Sequence, residues 1–415
     1  MRDRDVHDLR SVSPFPGITV VRNGAAPRRA PTLYAMRPMS SVVGLLLSVM
    51  PPAALAAMFA CSTNTTPPGS VEGLRVETVV TGLDTPWDLA WGPDGQIWVT
   101  ERGGRVSRVN PASGQRSTAG QIPGVAESGE SGLMGIAFHP DFAAQPYVYL
   151  THSYLQSGSL RNRVVRVRWD GQTLGAPEVL LANIPGGGIH DGSRLAVGPD
   201  RLLYMTTGDA SNGELAQDRT SLAGKVLRLT LTGQPAPGNP FGTAIYSFGH
   251  RNPQGLVFHP TTGALYSTEH GPSDNDEINR ITAGRNFGWP TVHGACDDDI
   301  GSERAFCQTN NVVEPLATWT PTIAPAGADF YLGDLIPQWK GSLLFAALRG
   351  TALYRLTLSA DGQQVTAREA LYAGTYGRLR DVLVAPDGAV YIATSNRDGR
   401  GNPSGDDDRI LRVKP

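Results

Sequence analysis

Through most of the chain, short runs of aliphatic, β-branched and aromatic residues alternate with polar ones and end at Pro, Asp or Gly. Such alternation lays one face of a strand on a core and leaves the other polar. One phrase recurs, an apolar strand, a Pro-Asp or Pro-Thr turn that often ends in Gly, and a second strand. It occupies 89–100, 136–151, 195–206, 256–267 and 382–393, with a degenerate copy at 341–347. Pro presets φ and Gly accepts a positive φ, so the phrase predicts a tight turn between antiparallel strands. A third strand follows most copies, at 106–109, 164–168, 226–230, 278–281, 353–357 and 410–413. Six units of about three inner strands, with no helical pattern between them, predict an all-β, six-bladed β-propeller. Strand 74–80 is expected to complete the last blade and close the ring.

Composition agrees. Charged residues make up 18% of the 415, and 49 Gly with 32 Pro give the turn density of an all-β chain. The formal net charge of -2 offers no cationic surface for nucleic acid and suits a small neutral substrate.

The first 71 residues read differently. Residues 1–35 are Arg/Pro-rich without apolar periodicity and read as disordered or as an unused upstream start. Residues 36–61 have the form of a signal peptide, with Arg37, an apolar run over 42–60, and Cys61 at its end. Met58-Phe-Ala-Cys61 resembles a lipoprotein box, which places a lipid anchor at Cys61. Pro51 and Pro52 interrupt the run and argue against a lasting membrane helix. Residues 62–71 then form a linker and 72–415 the propeller. This pattern predicts an exported protein, periplasmic or anchored and facing the exterior. In that setting Cys296 and Cys307 are expected to form a disulfide, worth about 2–3 kcal/mol on the chain-entropy model.

Polar residues between the strands carry the candidate chemistry. His190 lies among glycines, where backbone can approach a ligand closely, and imidazole suits uptake of a hydroxyl proton near pH 7. Asp209 is the candidate carboxylate to orient it; the alternative is a loop His bonded to a backbone carbonyl. Arg251 and Asn252 offer a bidentate cation and an amide. Arg378 and Arg380 alternate along a strand and so point to one side, as paired cations or as a solvated surface pair. Carbonyl oxygens at Gly271 and Pro272 suit calcium. Asp276 and Glu277 read equally as metal ligands or as a charged solvent loop.

Three segments, 189–194 (IHDGSR), 246–255 (YSFGHRNPQG) and 267–279 (STEHGPSDNDEIN), together resemble the soluble quinoprotein glucose dehydrogenases and aldose sugar dehydrogenases. The likeness runs from about Glu72 to the C-terminus. It implies a pyrroloquinoline quinone (PQQ) cofactor and calcium, with His190 as general base and Asp209 as its support. It further implies cofactor contacts from Glu130, Arg251, Asn252, Thr322, Arg349, Arg378 and Arg380. Calcium would be held by the carbonyls of Gly271 and Pro272, and a separate structural calcium by Asp276 and Glu277. Four positions depart from the family pattern. Arg349 stands for a quinone-facing Lys, Glu130 (or Ser131) for a Gln, His270 for another Gln, and Ala317 for a Tyr. These departures shift the expected substrate from glucose itself to aldoses or small polyols more broadly. Electrons would leave to an external acceptor, a quinone or a cytochrome, and the oligomeric state stays open, a homodimer included. The competing reading is a non-catalytic propeller that binds a partner protein or glycan. A hydrolytic propeller lacks convincing paired carboxylates and a Ser nucleophile elbow.

Overall fold

The computed structural model describes residues 73–415. The first strand, β1 (Arg75–Val80), is set aside until the chain closes. Blade one is β2 (Pro86–Trp91), β3 (Ile97–Glu101), β4 (Arg105–Val109) and β5 (Arg116–Gln121). Blade two is β6 (Leu133–Phe138), β7 (Tyr147–Gln156), β8 (Ser159–Arg168) and β9 (Glu178–Pro185). Blade three runs β10 (Gly192–Val197), β11 (Leu203–Thr207), β12 (Lys225–Leu229) and β13 (Ile245–Phe248). Blade four runs β14 (Pro253–Phe258), β15 (Leu265–Glu269), β16 (Asp276–Ile281) and β17 (Ala317–Trp319). Blade five is β18 (Pro325–Tyr331), β19 (Ser342–Ala347), β20 (Ala352–Leu358) and β21 (Val365–Leu371). Blade six holds β22 (Leu379–Val384), β23 (Val390–Thr394) and β24 (Ile410–Lys414), and β1 pairs antiparallel with β24 as its outer strand. Six four-stranded sheets result, a six-bladed β-propeller closed by its N-terminal strand.

The first strands of successive blades neighbour one another around the axis. Between blades, apolar faces meet, as where Trp98 and Val106 pack on Leu133, Val148 and Val165. Threonines on second strands pin three blades to the next: Thr100 Oγ1 donates to Met134 O at 2.5 Å, Thr151 Oγ1 to Ser193 O at 2.7 Å, and Thr268 Oγ1 to Ala326 O at 2.6 Å. At the axis Arg194 is buried between Asp88 and Asp381 and donates to Gln254 O at 2.9 Å, tying the inner strands of four blades. The recurrent turn behaves as its residues require; Gly95 and Gly388 both hold positive φ, 73° and 82°.

Apart from blade six, whose outer strand was read at 74–80, the outermost strand of each blade is absent from the repeat read in the sequence. Strand β5 (RSTAGQ) and strand β21 (VTAREAL) are mostly exposed, so neither carries an apolar face to betray it. Two short helices also went unforeseen, α1 (Glu214–Gln217) and α2 (Glu303–Asn310). Copy 341–347 looked degenerate because its turn from β18 is lengthened by a 3-10 turn at Pro337–Trp339. Cys296 and Cys307 are bonded, with Cα atoms 6.3 Å apart, and clasp the loop bearing α2. The signal peptide, the anchor at Cys61 and the linker lie outside the described residues. Among the described residues, no helix is long and apolar enough to cross a membrane.

Candidate active site

Two kinds of loop build the site: those that enter a first strand and those that leave a second strand. Glu130, His190, Arg251, Thr322 and Arg378 precede β6, β10, β14, β18 and β22 respectively. Asp209, His270, Arg349 and Asp398 follow β11, β15, β19 and β23. Antiparallel pairing brings both kinds to the same end of every blade.

His190 sits at φ 63°, a left-handed conformation that bulky residues seldom adopt. Its carbonyl is so close to Gly208 that a Cβ there would lie 1.9 Å away, so residue 208 has to be glycine. This contact sets the imidazole against Asp209, with Nδ1 2.8 Å from Oδ1. A carboxylate only accepts, so Nδ1 carries a proton, and in the neutral imidazole this tautomer leaves the Nε2 lone pair free. Asp209 is 1% exposed; Oδ1 also accepts Ser211 N at 2.7 Å, and Oδ2 accepts Trp289 Nε1 at 2.8 Å. The expected base and its support therefore meet.

His190 opens onto a cavity of about 290 Å³ whose wall includes Glu130, Arg251, His270, Gly271, Pro272, Thr322 and Arg400. An adjoining space of about 230 Å³ is bounded by Arg102, Arg380 and Asp398, and shares Glu130 and Arg400 with the first. The Glu130–Arg400 ion pair stands between them. Burial by itself would raise the Glu130 carboxyl, but neighbouring cationic groups, His270, Arg400 and Arg380, hold it down at about 2. His270 is itself pushed down to about 3 by burial and is neutral at pH 7, so the two guanidiniums carry that effect there. A larger cavity of about 770 Å³ lies between blades three and four; its Asp200 is committed to Arg228 and Tyr204, and no His borders it.

Around the first cavity, Arg251 lies over the Trp289 ring at 5.1 Å and donates Nη1 to His270 O at 3.0 Å. Among the described residues its Nε is buried without a partner, as are Nε of Arg380 and Nε2 of His270. Arg380 Nη1 donates to Gln254 Oε1 at 2.6 Å, and burial lowers its guanidinium to about 10. Arg378 and Arg380 do converge: Asp398 accepts from Arg378 Nε at 2.9 Å and lies 3.8 Å from Arg380 Nη2. Only Arg380 of the two lines the cavity. Arg349 Nη1 donates to Thr322 Oγ1 at 2.8 Å at the rim. Among the described residues, no hydrogen bond reaches Gly271 O or Pro272 O.

Two groups sit where the sequence alone did not put them. Asn252 is fully buried beneath the wall, its Oδ1 accepting Gly192 N at 3.1 Å and its amide 3.5 Å from His270 Nδ1. Asp276 and Glu277 are not a solvent loop; both belong to strand β16, where successive side chains point to opposite faces. Asp276 accepts Gly271 N, Ile323 N and Ala324 N, whereas Glu277 accepts Asn279 Nδ2 and Gly294 N. Burial raises their carboxyls to about 6 and about 8, the latter assisted by the charge of Glu269.

Trp289, Gln254, Asp398 and Arg400 were missed. Asp398 and Arg400 could have been found by asking which polar residues follow each second strand, the position that also holds Asp209. Nothing local marks Trp289.

The chain belongs to the glucose/sorbosone dehydrogenase family, whose family model matches residues 83–411. A solved Thermus thermophilus protein, assigned as an oxidoreductase (glucose dehydrogenase), is 46% identical, with a TM-score of 0.73 over 82% of this chain and 100% of that one. The PQQ-bound aldose sugar dehydrogenase of Streptomyces coelicolor is 40% identical, with a TM-score of 0.71 over 84% and 99%. Quinoprotein glucose dehydrogenase B of Acinetobacter calcoaceticus is 32% identical over 430 residues, covering 82% of this chain and 89% of its own.

Proposed function

We propose that the protein is a PQQ- and calcium-dependent dehydrogenase that oxidises aldoses or related small polyols. The observation that carries this reading is the His190–Asp209 pair opening onto the same cavity as buried, unpartnered donors of Arg251 and His270, next to that of Arg380. These unused N–H groups fit a planar ligand bearing carboxylates and carbonyls. The free carbonyls of Gly271 and Pro272 fit a hard cation. When bound, PQQ supplies the two-electron acceptor and calcium the Lewis acid that polarises it.

The chain's own residues do the rest. Arg251, Arg380 and, behind Asp398, Arg378 supply positive charge to the cofactor carboxylates, and Thr322 with Arg349 closes the rim. Asn252 acts from beneath, holding Gly192 and so the His190 loop. His190 Nε2 takes the hydroxyl proton as hydride leaves the carbon that bears that hydroxyl, and Asp209 stabilises the imidazolium that forms. Glu130 and Arg400 offer an acceptor and a donor to sugar hydroxyls, which supports a neutral polyhydroxy substrate. Electrons then pass to an external acceptor, a quinone or a cytochrome. For a separate structural ion, Glu277 facing Glu269 across the β15–β16 pair is a better candidate than Asp276, whose oxygens are committed to three amides. Export, with an anchor at Cys61, is part of the same proposal and rests on residues 36–61 alone.

The test is direct. Purified protein is loaded with calcium and PQQ, then mixed with a panel of aldoses and a redox dye. Dye reduction is expected, and His190→Ala should keep the cofactor while losing about 10²–10⁴-fold in turnover. Absence of both dye reduction and any change in cofactor absorbance would favour the binding module instead.

A further inference from the structure

Trp289 lies outside the two loop classes that build the site, between β16 and β17, and does not border the cavity that His190 opens onto. Its indole nevertheless touches both halves of the machinery. Nε1 donates to Asp209 Oδ2 at 2.8 Å, and the ring face lies 5.1 Å from the Arg251 guanidinium. We propose that Trp289 is a positioning residue, holding the carboxylate that orients His190 and the guanidinium that meets the cofactor in one rigid frame. The proposal rests on the function argued above.

The geometry of Asp209 shows what the indole contributes. On the Oδ1 side, His190 Nδ1 and Ser211 N both approach; on the Oδ2 side stands Trp289 alone among the described residues. Without that donor, one oxygen of a carboxylate that is 1% exposed has no partner. Such an oxygen gains by rotating toward whatever donor or water it can find, and the rotation carries Oδ1 away from the imidazole. A hydrogen bond from a ring fixed at both ends prevents this.

The ring is so fixed. Trp289 N donates to Gly249 O at 3.0 Å, and Trp289 O accepts Gln217 Nε2 at 2.6 Å. Gln217 ends α1, in the loop that begins at Gly208 and carries Asp209; Gly249 stands two residues before Arg251. At Gly213 a Cβ would lie 2.9 Å from Pro290 Cβ and 3.1 Å from Trp289 Nε1, so this loop packs directly on the indole. On the ring, His293 stacks at 5.0 Å. The Trp289 segment is thus bound to the blade-three loop of Asp209 and to the blade-four loop of the cofactor cation. The bland reading is a buried aromatic that only packs, and the two readings differ in what loss of the N–H alone does.

Trp289→Phe keeps an aromatic face for Arg251 and removes only the donor. Its kcat with an aldose is expected to fall about 10- to 100-fold, the scale of a hydrogen bond to a charged group. KM and the PQQ dissociation constant, read by fluorescence titration of the apo protein, should stay within about twofold. In an Asp209→Ala background the same change should alter kcat by less than about twofold, because the indole acts through that carboxylate. Wild-type kcat in Trp289→Phe, or an equal loss with and without Asp209, would reduce Trp289 to packing. If Trp289→Phe does not fold, the wild-type apo protein decides the matter by NMR of its seven tryptophans. One indole N–H resonance should move in Asp209→Asn; if none moves, the proposed contact is absent. That measurement needs no cofactor, so it stands even if the loaded wild type reduces no dye, a result that would sink the functional reading instead.

Discussion

Buried carboxyl groups in this protein meet opposite fates, decided by what faces each. Glu130 is held near 2 by guanidiniums across the cavity, while Glu277, beside Glu269, is raised to about 8. Asp329 on β18 is raised to about 7 by burial, against which the amides of Val384 and Phe330 only partly act. In the unfolded chain Asp329 ionises near its ordinary 3.8, so between that pH and about 7 the folded state binds the extra proton. Its contribution to stability is therefore complete below about pH 4 and is lost as pH rises through 7. From pH 5 to 8 the melting temperature of the wild type should drop a few °C further than that of Asp329→Asn. Parallel curves would show that Asp329 does not titrate in this range. At this scale the sequence was partly legible. His190 and Asp209 stood out through the glycines around them and the resemblance to the quinoprotein family; the residues alone fit a loop His bonded to a backbone carbonyl as well. Trp289 did not, since its partner Asp209 is 80 residues away and a Trp before Pro reads as any loop aromatic.

Among the elements, the loop between β11 and β12 shows how a strand supports chemistry it does not touch. Lys225 on β12 is fully buried, and its Nζ donates to Leu215 O at 2.7 Å, Ala216 O at 3.0 Å and Ala223 O at 2.5 Å. Burial pushes the ammonium down to about 7, whereas three carbonyls that each require an N–H favour the charged form. Lys225→Met fills the same space and leaves the Leu215 and Ala223 carbonyls without a donor, while Ala216 O keeps only Gly249 N. Unfolding in urea should show a loss of about 2–4 kcal/mol; an unchanged midpoint would mean the loop is held by its other contacts. Inner strands were legible because apolar residues alternate along them, and their turns because Pro-Asp-Gly admits few conformations. Outer strands such as β5 and β21 were not, because water covers much of their surface and no periodicity survives.

For the molecule as a whole, closure of the ring is the decisive event. Strand β1 pairs along β24, and Leu74 and Val76 pack against a cluster that includes Val390, Leu411 and Val413. Removing residues 73–81 would leave β24 as a bare edge and blade six short of its outer strand. The truncated protein should melt about 10 °C lower or lose its cooperative transition in calorimetry. A melting curve like that of the intact chain would show that the ring does not depend on this clasp.

Local order came from neighbours in the chain: alternation made strands, Pro and Gly made turns, and six repetitions made a propeller closed by its N-terminal strand. The choice of which polar residues share a cavity, and which protons they keep, was made only in three dimensions. Glu130 and Arg400 are 270 residues apart, and Arg194 reaches Asp381 across 187. Contacts of that range form when six sheets meet around one axis, and the burial and charge that set each group's protonation exist only once they have met.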